Sequence, residues 1–126
     1  MTKISTAKLQ SICDPFVTNP WGGKPITPDE VKSIRAWQAI REPAPLSDPP
    51  KLTRDYHVKR IAWLVINGWD DEIQIDVGVP ELNDHVEWPI MDGNHRFMAA
   101  LIRQDEYIDA GLSGSCELLD KLKYEK

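Results

Sequence analysis

Asp92-Gly93-Asn94-His95-Arg96 places a carboxylate, a glycine, an amide, an imidazole and a guanidinium at consecutive positions. Arg96 can offer a forked pair of donors to a phosphate, and His95 can donate, accept or shuttle a proton. Gly93 lets a ligand approach the backbone. Asp92 could hold a metal ion, orient His95 or act as a base. If a helix starts here, its first N–H groups lack internal partners and form an anion site. The same Asp-Gly-Asn is also ordinary turn and cap chemistry, which needs no ligand.

The flanking residues supply the elements that such a site requires. Val86, Trp88 and Ile90 alternate into the motif as a strand, and Ile73, Ile75 and Val77 alternate as another that could complete a hairpin. After the turn, Phe97, Met98, Leu101 and Ile102 give the packed stripe of a helix over about 95–104. Val58, Ile61, Ala62, Val65 and Trp69 predict an earlier helix over about 55–67, ended by Gly68. Thr27-Pro28-Asp29-Glu30 is a helix start with a capping box, and Val31, Ile34, Trp37 and Ile40 extend it at three-residue steps. A short strand over 107–112 and a helix over 115–122 close the chain. The first 26 residues, with Pro15, Pro20, Pro25 and Gly22-Gly23, read as a loop-rich lead-in, and 41–50, with four prolines, as an extended connection. The fold class expected is α/β (α+β): a small mixed sheet flanked by helices in one domain over 1–126.

The string from Ile90 to Leu101, with Asp92-Gly93-Asn94-His95-Arg96 at its centre, resembles the signature of the ParB/sulfiredoxin-like superfamily. The preceding helix and strands fit that layout, and the resemblance covers roughly residues 52–119; residues 1–50 have no counterpart. The resemblance implies a nucleotide or phosphate held by the motif loop and helix start. Members include CTP-hydrolysing partition proteins, sulfiredoxins that use ATP, ADP-dependent serine kinases and nucleases. Gly93 and Arg96 match the family's glycine and phosphate-binding arginine, and His95 matches the sulfiredoxin histidine. Asn94 stands where sulfiredoxins carry cysteine, which speaks against sulfinic-acid reduction. Asn94 and His95 replace the partition proteins' glutamate and second arginine, and no helix-turn-helix pattern follows.

The expectation is therefore a nucleotide (ATP, ADP or CTP) at this turn, with NTP hydrolysis or phosphoryl transfer as the activity. Gly93, Asn94, His95 and Arg96 would bind phosphate; Asp92, His95 and Arg96 would serve catalysis, Asp92 also as holder of a magnesium ion. Lys51, Arg54, His57, Lys59 and Arg60 form a basic segment that could add contacts to phosphate or a nucleic-acid backbone. Glu30 or Glu72 could act as a base on a substrate hydroxyl. The alternatives are a non-enzymatic regulatory or mobile-element protein binding nucleic acid or a protein partner, and a ParB-like nuclease.

The bulk composition narrows the rest. A net charge of −5 argues against a large non-specific DNA-binding surface, since that depends on lysine and arginine neutralising phosphates. No run approaches about 18 apolar residues, and the start lacks a signal-peptide core, so a cytoplasmic location and no membrane partner are expected. Cys13 and Cys116 lack metal-ligand spacing and read as reduced thiols, and His57, His85 and His95 have no transition-metal pattern. Trp21, in an Asn-Pro-Trp-Gly-Gly loop, is expected to pack back onto the protein.

Overall fold

The computed structural model describes residues 2–43 and 53–125. The proline-rich connection beyond Pro43, and Lys51 with it, lies outside the described residues. The chain is a mixed α+β protein. Strands β1 (Thr2–Ser5), β2 (Ile73–Asp76), β5 (Ile90–Asp92) and β6 (Tyr107–Ser113) form one sheet in the order β1-β6-β2-β5. β6 runs parallel to β2, while β1 and β5 are antiparallel to their neighbours. The parallel pair requires a crossover, and helix α4 (Asn94–Arg103) lies within it.

Helix α3 (Arg54–Asn67) packs along α4, and the sequence explains why α4 sits between two layers. Phe97 and Ala100 join the sheet core with Ile4, Leu9, Ile73, Ile75 and Ile108. Met98, Ala99 and Ile102 turn the other way and meet Val58, Ile61, Ala62 and Leu64 of α3. Ala99 on this face allows the close approach. The fully buried Phe97 alone makes α4 expensive to displace, because truncating a buried phenylalanine costs about 3–5 kcal/mol.

Four expectations change. The lead-in is not loop throughout: Thr2–Ser5 is an edge strand of the main sheet, and α1 (Thr6–Ile12) follows, with Ser5 accepting from the Lys8 amide as its cap. Prolines begin only at Pro15, and Ile4, Leu9 and Cys13 all reach the core. The residues through 43 thus contribute a strand and two helices, more than the one helix expected of an N-terminal extension.

The second difference is α2, which has the expected capping box at Thr27 and Glu30 but covers only Pro28–Lys32. Ala36–Gln38 is a separate short 3₁₀ turn, and Trp37 is 80% exposed. Three-residue steps drift around an α-helix: nine residues advance about 900°, so Val31 and Ile40 would fall on opposite faces. The chain breaks instead, and the Ile40 amide docks on the Lys59 carbonyl of α3.

Thirdly, Val86–Trp88 is not in the main sheet. A small hairpin of β3 (Gly78–Val79) and β4 (Asp84–His85) projects between β2 and β5, and only Ile90–Asp92 rejoins β2. Finally, the last helix, α5, is shorter than expected, covering Cys116–Asp120. Among the described residues, no helix is long and apolar enough to cross a membrane.

Candidate functional site

The Asp92–Arg96 motif does what its sequence asks: β5 ends at Asp92 and α4 begins at Asn94. Gly93 is the N-cap, at φ +107°, a conformation that side chains resist. Space forbids a side chain as well, because a Cβ here would lie 2.4 Å from Cγ2 of the fully buried Ile73. β2 therefore presses directly on the start of α4. With glycine as the cap, no side chain satisfies the first-turn amides, and these have no intrahelical acceptor either.

A cavity of about 650 Å³ opens at this point, a size that suits a small-molecule ligand. Asp92, Gly93, His95 and Arg96 line it from the motif, and Arg60 from α3. Arg96 is largely buried, donating through Nη1 to the Glu72 carbonyl at 2.9 Å and through Nη2 to Asp92 at 3.2 Å. Those two bonds fix its fork and leave other N–H donors for a ligand. Arg60 donates to the backbone carbonyls of Ile40 and Arg41, and its guanidinium stacks over Trp63. Burial lowers its pKa, Arg96 adds repulsion, and Tyr56 and Glu42 oppose. Two guanidiniums therefore stand in one cavity with carboxylates around them. Asp92 pairs with Arg96, and Asp70 and Asp71 line the same cavity.

His95 faces α3 and meets His57. Nδ1 of His57 and Nε2 of His95 lie 2.8 Å apart, within hydrogen-bond distance. Trp21 covers both rings, stacked at 4.0 Å on His57 and 4.3 Å on His95. Burial, then the proximity of His57, Arg60 and Arg96, holds the His95 pKa down at about 3. Burial also lowers that of His57. The pair is neutral at neutral pH. Trp21 packs back, as expected, but what it packs on was not foreseen.

The remaining candidates are placed as follows. The Asn94 side chain accepts a 2.8 Å hydrogen bond from the Trp88 indole, so its backbone rather than its carbonyl oxygen is available to a ligand. Arg54 turns away from the motif: it grips Glu30 through both terminal nitrogens at 2.5 and 2.6 Å and donates to the Lys24 and Pro25 carbonyls. Lys59 pairs with Asp55 at 2.9 Å on α3. Of the described basic segment, only His57 and Arg60 reach the site. Glu30 is committed to Arg54, and the Glu72 carboxylate accepts from Gln74. His85 lies exposed on β4.

The Asp92 carboxylate is 73% exposed and ion-paired, and among the described residues no three His, Cys, Asp or Glu side chains converge to hold a metal. Cys13 is buried and Cys116 exposed, both free thiols. No protein-family model, curated protein or solved structure matches the chain.

Proposed function

We propose that the chain binds a nucleoside phosphate at the start of α4 and acts on it by hydrolysis or phosphoryl transfer. The carrying observation is the glycine-capped start of α4 opening, beside Arg96 and Arg60, onto the 650 Å³ cavity. Unpaired helix amides and two guanidiniums are the groups that phosphate chemistry needs, since its transition states ask mainly for positioned positive charge.

Asp92 already bonds Arg96 as an internal anion. Its exposed carboxylate can swing aside, leaving the Arg96 fork to a phosphate oxygen while the Glu72 carbonyl keeps the guanidinium in place. His95 lines the same cavity, where its ring can donate to a phosphate oxygen. The resemblance of Ile90–Leu101 to the ParB/sulfiredoxin-like signature supports the same reading, as does the strand–turn–helix that carries it.

The test is a thermal-shift screen against ATP, ADP, CTP and GTP, with and without Mg²⁺, run beside Arg96→Ala. A ligand at 100 times its dissociation constant stabilises the native state by about 2.7 kcal/mol. A rise in melting temperature with one nucleotide, lost in Arg96→Ala, is the expected result and would direct a turnover assay. No shift with any nucleotide overturns the proposal and leaves the motif a structural turn.

A further inference from the structure

The contact between His57 and His95 joins residues 38 positions apart in the chain. One ring must donate and the other accept, so the pair holds its internal proton as a unit. The indole of Trp21 lies within 8° of parallel to His57 and 22° to His95, roofing both rings. The Asn19 side chain fixes that roof, accepting from the Trp21 amide and donating to the Lys24 carbonyl, both at 2.9 Å. From α3, Tyr56 meets the rings edge-on and Arg60 brings positive charge; from α4, Arg96 brings more. The turn carrying Trp21 contributes only neutral side chains between Asn19 and Gly23.

This arrangement makes the pair respond to what lies between the arginines. Burial first, then His57 and both guanidiniums, oppose a proton on His95, in a cavity that Glu42, Asp70, Asp71 and Asp92 also line. An oxyanion seated against Arg60 and Arg96 offsets the guanidiniums' share of that opposition and adds attraction of its own. The extra proton would then sit on an imidazolium hydrogen-bonded to its neutral partner, with the indole face stabilising the cation.

We propose that the His57–His95 pair takes up one proton when an oxyanion binds between Arg60 and Arg96, so that the site binds phosphate-class anions together with a proton. The proton comes from solvent and enters at the second nitrogen of whichever ring donates within the pair. No bond of the anion breaks. The inference rests on the anion-site reading above.

Sulfate is the probe, because it does not titrate near neutral pH. Nitrogen-15 spectra of the imidazoles and backbone amides of the full chain are recorded between about pH 8 and pH 5, with and without sulfate. The expected result is two neutral rings without sulfate, and an imidazolium signal on the pair when sulfate shifts the α4 amides. The sulfate dissociation constant should fall as pH falls, approaching about tenfold per unit between the free and bound titrations. His95→Gln, which keeps an amide near the Nε2 position, should flatten that slope; the wild-type spectra decide the matter even if the variant fails to fold. Sulfate bound at the α4 amides with both imidazoles neutral, or an affinity flat with pH, overturns this inference alone. Undisturbed α4 amides overturn the anion site and the proton linkage together.

Discussion

Gly93→Ala isolates the contact that sets the start of α4. The substitution acts twice. An alanine at φ +107° carries a backbone strain of about 1–2 kcal/mol. Its Cβ also lands 2.4 Å from Ile73 Cγ2 and 2.7 Å from Ile73 Cβ, well inside the usual carbon contact of about 3.5–4 Å. Ile73 is fully buried in β2 and cannot step aside without moving the sheet, so overpacking adds about 1–3 kcal/mol. The sum is about 2–5 kcal/mol, which for a chain of this size lowers the melting temperature by about 8–20 °C.

Gly22→Ala is the internal control, because Gly22 has φ +88° but open space where a Cβ would stand. It carries the strain without the clash. Urea unfolding of both variants should therefore separate them by about 1–3 kcal/mol. Adding Ile73→Ala, which removes Cγ2 but keeps the Cβ 2.7 Å away, should make the double variant more stable than the sum of its parts predicts, by part of that amount. Equal stabilities for Gly93→Ala and Gly22→Ala, together with an additive double variant, would refute the contact and the reason given for glycine here.

Three further outcomes follow from the same geometry. Because His95 is held at about 3 in the folded chain against an ordinary 6.5, the unfolded chain takes the proton first as pH falls. Its contribution to stability is full above about pH 6.5 and lost progressively towards pH 3, so the melting temperature should drop between about pH 7 and pH 5 and His95→Gln should flatten that drop; a flat wild-type profile would count against a buried neutral pair. Arg54→Ala should cost about 1 kcal/mol by chemical denaturation, a modest figure because the Glu30 pair is partly exposed and screened. The Arg54 guanidinium holds Glu30 at about 2, so its contribution is present above pH 4.5 and lost towards pH 2; no change on substitution would show the clamp to be idle. Burial, helped by Asp14, pushes Cys13 up to about 12, so a thiol reagent at neutral pH should modify Cys116 quickly and Cys13 only after unfolding; two fast thiols in the native protein would contradict its burial.

The parts of the fold that were legible were those with strong local periodicity. The stripes of α3 and α4 lie within a residue or two of their expected ranges, and the Thr27 capping box formed as its spacing required. Ile75 and Ile90 do pair across antiparallel strands. What failed was length and context. Three-residue apolar steps after Val31 could not say that the helix stops at Lys32, and prolines at 15 and 20 obscured a strand and helix whose residues precede them. At the candidate site, the strand–turn–helix around Asp92–Arg96 was legible from the glycine turn and the periodicity on either side of it. The partnership of His95 with His57 and Trp21 was not, because it depends on how α3 packs against α4 and on a turn held by Asn19. The basic segment gave the right helix but not the face: Arg54 and Lys59 found carboxylates nearer than any ligand.

The most direct test of the central claim is an amide NMR titration of the full chain with the nucleotide that stabilises it best. The account predicts that the largest shifts fall on the amides of Gly93, Asn94, His95 and Arg96, with the Arg96 side chain moving alongside them. Shifts centred on another surface, with these residues still, would contradict it.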